Sequence, residues 1–253
     1  MISGIMQPTF FPWMGYFDMI DKVDHFVFLD HVQLTKRSWQ VRNRIKTPQG
    51  ESFITISIAK TKSRDEQWIK DAVISYESKW HQKFLKTLEA SYKKAAYFDE
   101  VYKWLEGIIF EETETLGELN IKIIKEICEK IGITTQLHKS SDISPEGKKD
   151  DMLVELSKTV SCEQYLSAQG SAVYIEETTP GGAFTQNSIE LFYHDYEHPT
   201  YEQGKKEFLP YMAIVDLLLH VGFNNALSVI REGRCDNIQF EKYRKENLGL
   251  PNV

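Results

Sequence analysis

The sequence predicts an α/β fold whose sheet is mostly parallel, with an antiparallel β-ribbon and an inserted helical block. Three features carry that expectation. A strand-like run, a turn, a helical stretch and a second strand-like run open the chain, and a similar alternation resumes near its end. Two alternating apolar and polar runs flank "PQG" at positions 48–50, the pattern of a hairpin. Between Glu77 and Lys130, apolar residues recur at helical spacing. With 253 residues, 42% of them hydrophobic, the chain can bury a large core. It is read as one domain over 1–253, the helical block near 77–131 lying inside the α/β core.

Taken in order, Ile2 to Met6 reads as a strand, Gly15 to Val23 as a helix, and His25 to Leu29 as a second strand closed by Asp30. So compact a connection favours parallel neighbours, because a right-handed helical crossover is the usual way back to the same sheet. Gln40 to Thr47 and Ser52 to Ile58 form the ribbon. Trp80, Phe84 and Leu88, then Tyr97, Val101 and Leu105, then Leu119, Ile123 and Ile127 mark three helices. "TTQLH" reads as a strand, followed by the polar break "SSDISPEGKK", a helix from Asp151 to Lys158 and a strand from Gln164 to Ser167. "IELFYHDY" is a further strand, with helices over Tyr211 to His220 and Asn224 to Ile230 and a polar tail after Arg234 that caps or frays.

Composition narrows the function classes. A formal charge of -7, from 30 basic and 37 acidic residues, argues against an extensive nucleic-acid surface. No membrane-length apolar run stands out and the N-terminus does not read as a leader, so the expected location is the cytoplasm, with no membrane partner. Cys128, Cys162 and Cys235 are odd in number and lack metal-ligand spacing, so free thiols and no metal site are expected. GxSxG, HExxH, P-loop and GxGxxG motifs do not occur, which leaves covalent catalysis without support.

Ligands of open α/β sheets bind beyond the carboxyl ends of the strands, so the turn "QPTFFPWMGYF" is the first place to look. Pro8 and Pro12 stiffen it, and Gly15 lets a ligand or another backbone approach a helix start whose N–H groups favour an anion. Gln7, Phe11, Trp13 and Tyr16 complete the binding candidates there, with core packing the competing reading for the aromatic residues. Between Asp30 and Glu51 no acid interrupts five cations, Lys36, Arg37, Arg42, Arg44 and Lys46. In a strand, Arg42, Arg44 and Lys46 share one face, while Gln33, Trp39 and Asn43 supply amides and a ring suited to a sugar or nucleobase. Asp30, closing the second strand, joins this binding set. Arginine forks bind phosphates, so the expected partner is a small phosphorylated ligand: a nucleotide, a nucleotide sugar, an acyl adenylate or a coenzyme thioester. A transfer RNA end ranks below these. "KTKSR" at 60–64 is read as a plain loop.

In the second half, Ser167, Gln169, Gly170 and Ser171 follow a strand in a position that can cradle a ligand, and Tyr174 can face the same pocket. A helix cap at Ser171 is the alternative. His194 and His198 have the four-residue spacing of helical metal ligands, but Pro199 and the β-rich surroundings disfavour that reading. A histidine beside a carboxylate can instead act as general base towards an amine or hydroxyl. His194, His198 and Lys36 are the catalytic candidates. Asp216 sits among apolar residues on a helix and needs a partner such as an arginine of the basic stretch; it is counted with the binding residues.

The opening "FPWMGYF" with its flanking strands resembles the first unit of HUP-type nucleotidylyl transferases, whose turn carries HxGH. Here Trp13 and Tyr16 stand where that superfamily has its histidines, and neither carries positive charge at neutral pH. "MQPTFFPWMGYFDMI", "DHFVFLDHVQLTKRSWQVRNRI" and "YEHPTYEQGKKEFLPYMAIVDLLLHVG" resemble, in order, motifs of the WbqC-like family over roughly residues 4–225. That resemblance implies a Rossmann-like, HUP-type core and a place among bacterial surface-polysaccharide genes, including those of O-antigen. It also implies transfer of an aminoacyl (glycyl) or acyl group from an activated, phosphate-bearing donor to an amino sugar or sugar nucleotide. Ala168 and Gln169 depart from the serine-glycine pair common in the family. Nucleotidylyl transfer or adenylate formation, and non-catalytic nucleotide-sugar binding, are the alternatives.

Overall fold

The structure is a computed structural model that describes residues 1–35, 37–60, 67–177 and 179–250. Lys36 and most of "KTKSR" therefore lie outside the described residues. Strands β1 (Ile2–Met6), β2 (His25–Phe28), β5 (Gln136–Lys139), β6 (Gln164–Ser167), β7 (Glu190–Tyr193) and β8 (Ile238–Gln239) form one sheet in the order β5-β2-β1-β6-β7-β8. All pair in parallel except β8, which runs antiparallel to β7. This is the Rossmann-like, mostly parallel sheet that the alternation predicts. Strands β3 (Arg42–Thr47) and β4 (Gly50–Thr55) form the separate antiparallel ribbon, with Thr47 opposite Gly50 across the turn. Thr47 Oγ1 donates to Gly50 O at 2.8 Å and accepts from Gln49 N at 3.2 Å, which closes the turn.

The period-two rule sorts the sheet residues between two cores. Ile5, Val27, Tyr165, Leu191 and Tyr193 pack on one face, against α6 (Lys149–Thr159), α7 (Ala172–Ile175), α8 (Gly182–Gln186) and α10 (Phe240–Asn247). Phe26, Phe28 and Leu166 pack on the other, against α1 (Met14–Asp21), the inserted helices α2 (Trp80–Tyr92), α3 (Phe98–Phe110) and α4 (Leu116–Ile131), and α9 (Ile214–Glu232). Helix α4 shows why the local sequence gives these boundaries. Thr115 Oγ1 accepts from Glu118 N at 3.3 Å to cap its start, and Gly132 at φ 88° ends it.

Three expectations change. The tail after Arg234 is not a fraying end among the described residues: it adds β8 and α10, because Tyr243 packs into the second core and Arg244 Nη1 bonds Glu176 Oε2 at 3.0 Å. The helices placed over 211–220 and 224–230 are one element, α9, broken at Gly222 (φ 75°, ψ 168°), where a β-carbon would lie 2.6 Å from the Tyr97 ring. By length and composition α9 alone among the described helices is apolar enough to cross a membrane, yet it packs on α1, α3 and α4 as a core helix.

The chain order fixes where a crevice opens. From β1 the chain moves outward to β2 and then β5, and afterwards crosses to the other side of β1 to form β6 and β7. The carboxyl ends of β1 and β6 thus border the point where the winding reverses, which is where such sheets leave room for a ligand.

Histidines tie parts of this frame together and make it acid-sensitive. His25 Nδ1 and His138 Nε2 lie 3.0 Å apart across β2 and β5. Burial lowers the pKa of His31, His138 and His198 from the usual imidazole value, with the His25 ring adding to the effect at His138. A depressed folded-state pKa means that the unfolded chain binds more protons, so this contribution is complete above about pH 6.5 and is lost as pH falls through the lower folded values. The melting temperature is expected to decline between pH 7 and 5, before carboxylates titrate, and a scan of thermal unfolding against pH checks it.

Candidate functional site

The opening turn is held by two buried amides. Asn43 Nδ2 donates to Phe10 O at 3.0 Å and Phe11 O at 2.8 Å, and Asn120 Nδ2 donates to Pro8 O at 3.0 Å and Gln40 O at 2.9 Å. These bonds hold Phe11 in a left-handed conformation at φ 44° that a non-glycine residue rarely adopts. The Gln40 amide reaches Gln7 Oε1, and Tyr16 Oη donates to Gln7 O at 3.2 Å. Phe10 and Phe11 point into the core, where Phe11 stacks on Phe84 with centroids 5.4 Å apart. Trp13 points the other way.

Two adjoining cavities open beside Trp13. The first, of 320 Å³, lies at the crevice: Met6 ends β1, Ala168, Gln169 and Gly170 follow β6, His194 follows β7, and Trp13, Gly15, Tyr16 and Tyr211 close the remaining side with Met19 and Tyr196. The second, of 270 Å³, is lined by Thr9, Pro12, Trp39, Asn43 and Arg44 and shares Met6, Trp13, Tyr16 and Tyr211 with the first. Trp13 therefore stands in the partition. Its indole stacks on His198 at 6.2 Å and meets Tyr196 and Tyr211 edge-on at 5.5 and 5.3 Å. It also lies over Gly15, where a β-carbon would come within 2.2 Å of the indole ring. The space that Gly15 leaves, which the sequence suggests for a ligand or another backbone, is taken by this side chain.

His194 is the chemically distinctive group of the first cavity. Its backbone N donates to Ser167 O at 2.8 Å, which seats it at the sheet edge, and Gln169 Nε2 donates to its carbonyl at 3.0 Å. On the ring, Nε2 lies 2.8 Å from Oδ2 of Asp18, a fully buried residue of α1. Arg234 Nε donates to the other Asp18 oxygen at 2.8 Å, and its Nη2 reaches Asp21 at 2.5 Å. Burial opposes the charge on Asp21, but hydrogen bonds from Arg231 and Arg234 override it and hold that carboxyl below its usual pKa. Asp18 accepts from the Arg234 guanidinium on one oxygen and from Nε2 of His194 on the other, which leaves Nδ1 as the ring nitrogen available to a ligand. Among the described residues nothing hydrogen-bonds to Nδ1. A carboxylate that fixes the tautomer of a cavity histidine equips it to take a proton.

The model of the WbqC-like protein family matches residues 7–227. The chain belongs to that family. It is also 36% identical over 221 residues to the uncharacterized protein Rv1507c of Mycobacterium tuberculosis, covering 87% of this chain and 93% of that one. No solved structure matches it.

In this WbqC-like protein the structure brings together His194, Trp13, Gly15, Tyr16, Gln169 and Gly170 around one cavity, and Pro12, Trp39, Asn43 and Arg44 around the next. Other candidates lie apart from both. Phe11 and Pro8 are buried, and Ser167 is fully buried with its hydroxyl on Ala168 O at 3.3 Å. Ser171 and Tyr174 line neither cavity. Gln33 bridges Trp68, and Arg37 adopts φ 54° in the loop before Trp39. Asp30 spends its oxygens on the start of α5 (Ser140–Ile143): Ser140 Oγ donates at 2.9 Å, Ser141 N at 2.9 Å and Ser141 Oγ at 2.6 Å, so it welds β2 to β5. His198 lines neither cavity; its Nδ1 donates to Pro199 O at 2.8 Å and its ring stacks on Trp13. Lys46 leaves the solvent face of the ribbon, its Nζ bonded to Gln203, Lys206 and Glu207 at 2.8 to 3.3 Å. Asp216 takes no arginine: Tyr92, Tyr201 and Gln203 donate to it at 2.6, 2.6 and 2.8 Å.

Sequence reasoning misses Asp18, Arg234, Tyr196 and Tyr211. Asp18 carried the same signal that singled out Asp216, a lone acid in an apolar helix, "MGYFDMI". Nothing local marks Arg234, which reaches Asp18 from 216 positions away.

Proposed function

We propose that this WbqC-like protein is a group transferase in which His194 is the general base. The observation that carries the reading is the buried Asp18, which, held by Arg234, leaves Nδ1 of His194 as the basic atom in a cavity at the reversal point of the sheet. Nδ1 removes the proton of an acceptor amine or hydroxyl as that group attacks the carbonyl of an activated acyl donor. The new N–C or O–C bond forms, the bond to the phosphate or thiolate leaving group breaks, and the leaving group departs with the electron pair.

Two cavities divided by Trp13 suit two substrates, the acceptor beside His194 and the donor beside Arg44 and Trp39. Among the described residues neither cavity is lined by cysteine or lysine. Family membership supports an aminoacyl, in particular glycyl, or acyl group as cargo and an amino sugar or sugar nucleotide of surface polysaccharide as acceptor. Incubation with glycyl-adenylate or acetyl-coenzyme A and a nucleotide-linked amino sugar, read by mass spectrometry, tests this. A mass gain on the acceptor equal to the transferred group is expected. Saturable binding of donor and acceptor with no product would instead make the protein a binding module, and release of pyrophosphate from a nucleoside triphosphate would point to nucleotidylyl transfer.

A further inference from the structure

We infer that the outer face of the ribbon is a docking ledge for a nucleoside phosphate, with the base stacked on Trp39 and the phosphate held by Arg42. Four side chains line up along this face, two rings between two arginines. Arg42 lies 4.3 Å over the Phe53 ring, the Phe53 and Trp39 rings are 6.3 Å apart at 31°, and Arg44 lies 5.5 Å over Trp39. The rings are not core: Trp39 is 49% exposed and Phe53 44%, on a two-stranded ribbon outside the main sheet. Both rings stay half in water despite the arginines over them, and a planar guest would remove them from solvent.

The charges select among planar guests. Arg44 is neutralised by Glu51 at 3.0 Å and tethered to Tyr211 O at 3.2 Å. Arg42 has no carboxylate partner among the described residues, so the ledge presents one uncompensated cation next to its rings. A neutral sugar would leave Arg42 unused, and a bare acyl phosphate would leave the rings unused. A nucleobase joined to phosphate uses both. Trp39 is also a wall of the 270 Å³ cavity, so a guest seated on the ledge enters the site from its donor side.

This deepens the transferase reading by naming the handle of the donor, and it rests on that reading only for the direction in which the donor points. Binding tests it without catalysis. Calorimetric titration of the full chain with ADP, UDP, adenosine, uridine and ribose 5-phosphate is expected to show ADP or UDP binding at least tenfold tighter than ribose 5-phosphate and than the parent nucleoside. Trp39→Ala should weaken that binding about tenfold to hundredfold, the range that loss of one base-ring stack produces. Trp39→Phe should restore most of it, and Arg42→Ala should weaken it at least fivefold; both alanine variants should melt close to the parent, because neither residue is buried and both lie outside the main sheet. The inference is overturned if neither nucleotide binds, if ribose 5-phosphate binds as tightly as both, or if either alanine variant binds undiminished. His194→Gln should leave nucleotide affinity unchanged, so failure of the transfer chemistry and failure of the ledge are separable.

Discussion

His194→Gln is expected to lower the rate of the proposed acyl transfer about 10²- to 10⁴-fold, the contribution of a positioned general base. Glutamine keeps a donor for Asp18 but has no group that accepts a proton near neutral pH. Asp18→Asn is expected to fall in the same range although it touches no substrate. With its oxygen turned to Arg234, the new amide presents N–H to His194 Nε2, which then has to accept, and the proton moves to Nδ1, the atom that the reaction needs bare. The His194→Gln, Asp18→Asn double variant should be little slower than the worse single one, since both remove the same function. Steady-state rates in the mass-spectrometric assay, with the pH profile of each variant, check this. Full activity in Asp18→Asn beside a dead His194→Gln would leave Asp18 a structural anchor only.

The parts of this molecule that declare themselves in sequence are those whose cause is local. The three helices between Glu77 and Lys130, the "PQG" ribbon turn and the β1-α1-β2 opening all follow from periodicity and turn chemistry within a dozen residues. The break at Gly222 was visible as a gap between two helical runs, though not its cause, a tyrosine ring more than a hundred positions earlier. The site divides the same way. Trp13, Gly15 and Tyr16 are legible because the turn that displays them is built from adjacent prolines and glycine. Lys46, Asp30 and Asp216 read in sequence as ligand contacts or their supports, and a charge in a run of sequence gives no sign of which distant group it will meet. Lys46 finds the carbonyls of the 203–207 loop, and Asp30 finds the start of α5. Asp18 and Arg234 make the complementary case: two charges that look unremarkable alone become the support of a cavity histidine once β7, α1 and the segment after α9 converge.

Asp216→Ala is expected to destabilise the protein by about 3–5 kcal/mol, since three buried donors lose their shared acceptor at about 1–3 kcal/mol each. The residue is fully buried, and the substitution strands three donors at once, the hydroxyls of Tyr92 and Tyr201 and the amide of Gln203. Burial, reinforced by the Asp216 charge, raises the pKa of both tyrosines, so they remain donors throughout any working pH range. At about 2–4 °C per kcal/mol for a chain of this size, the melting temperature should fall by roughly 6–20 °C. Tyr201→Phe, which leaves the carboxylate two of its donors and leaves the Gln203 amide bonded to Leu209 O and Asp216, should cost far less, about 1 kcal/mol. The effect reaches the site because Gln203 also clamps Leu209, accepting from its N at 2.8 Å and donating to its O at 3.0 Å. That clamp precedes Tyr211, a wall common to both cavities and itself held at φ 61°. Asp216→Ala examined well below its melting temperature should therefore bind ligands of either cavity more weakly than the parent, and a variant as stable as the parent would show that these three hydrogen bonds do not hold α9 to α2 and the loop.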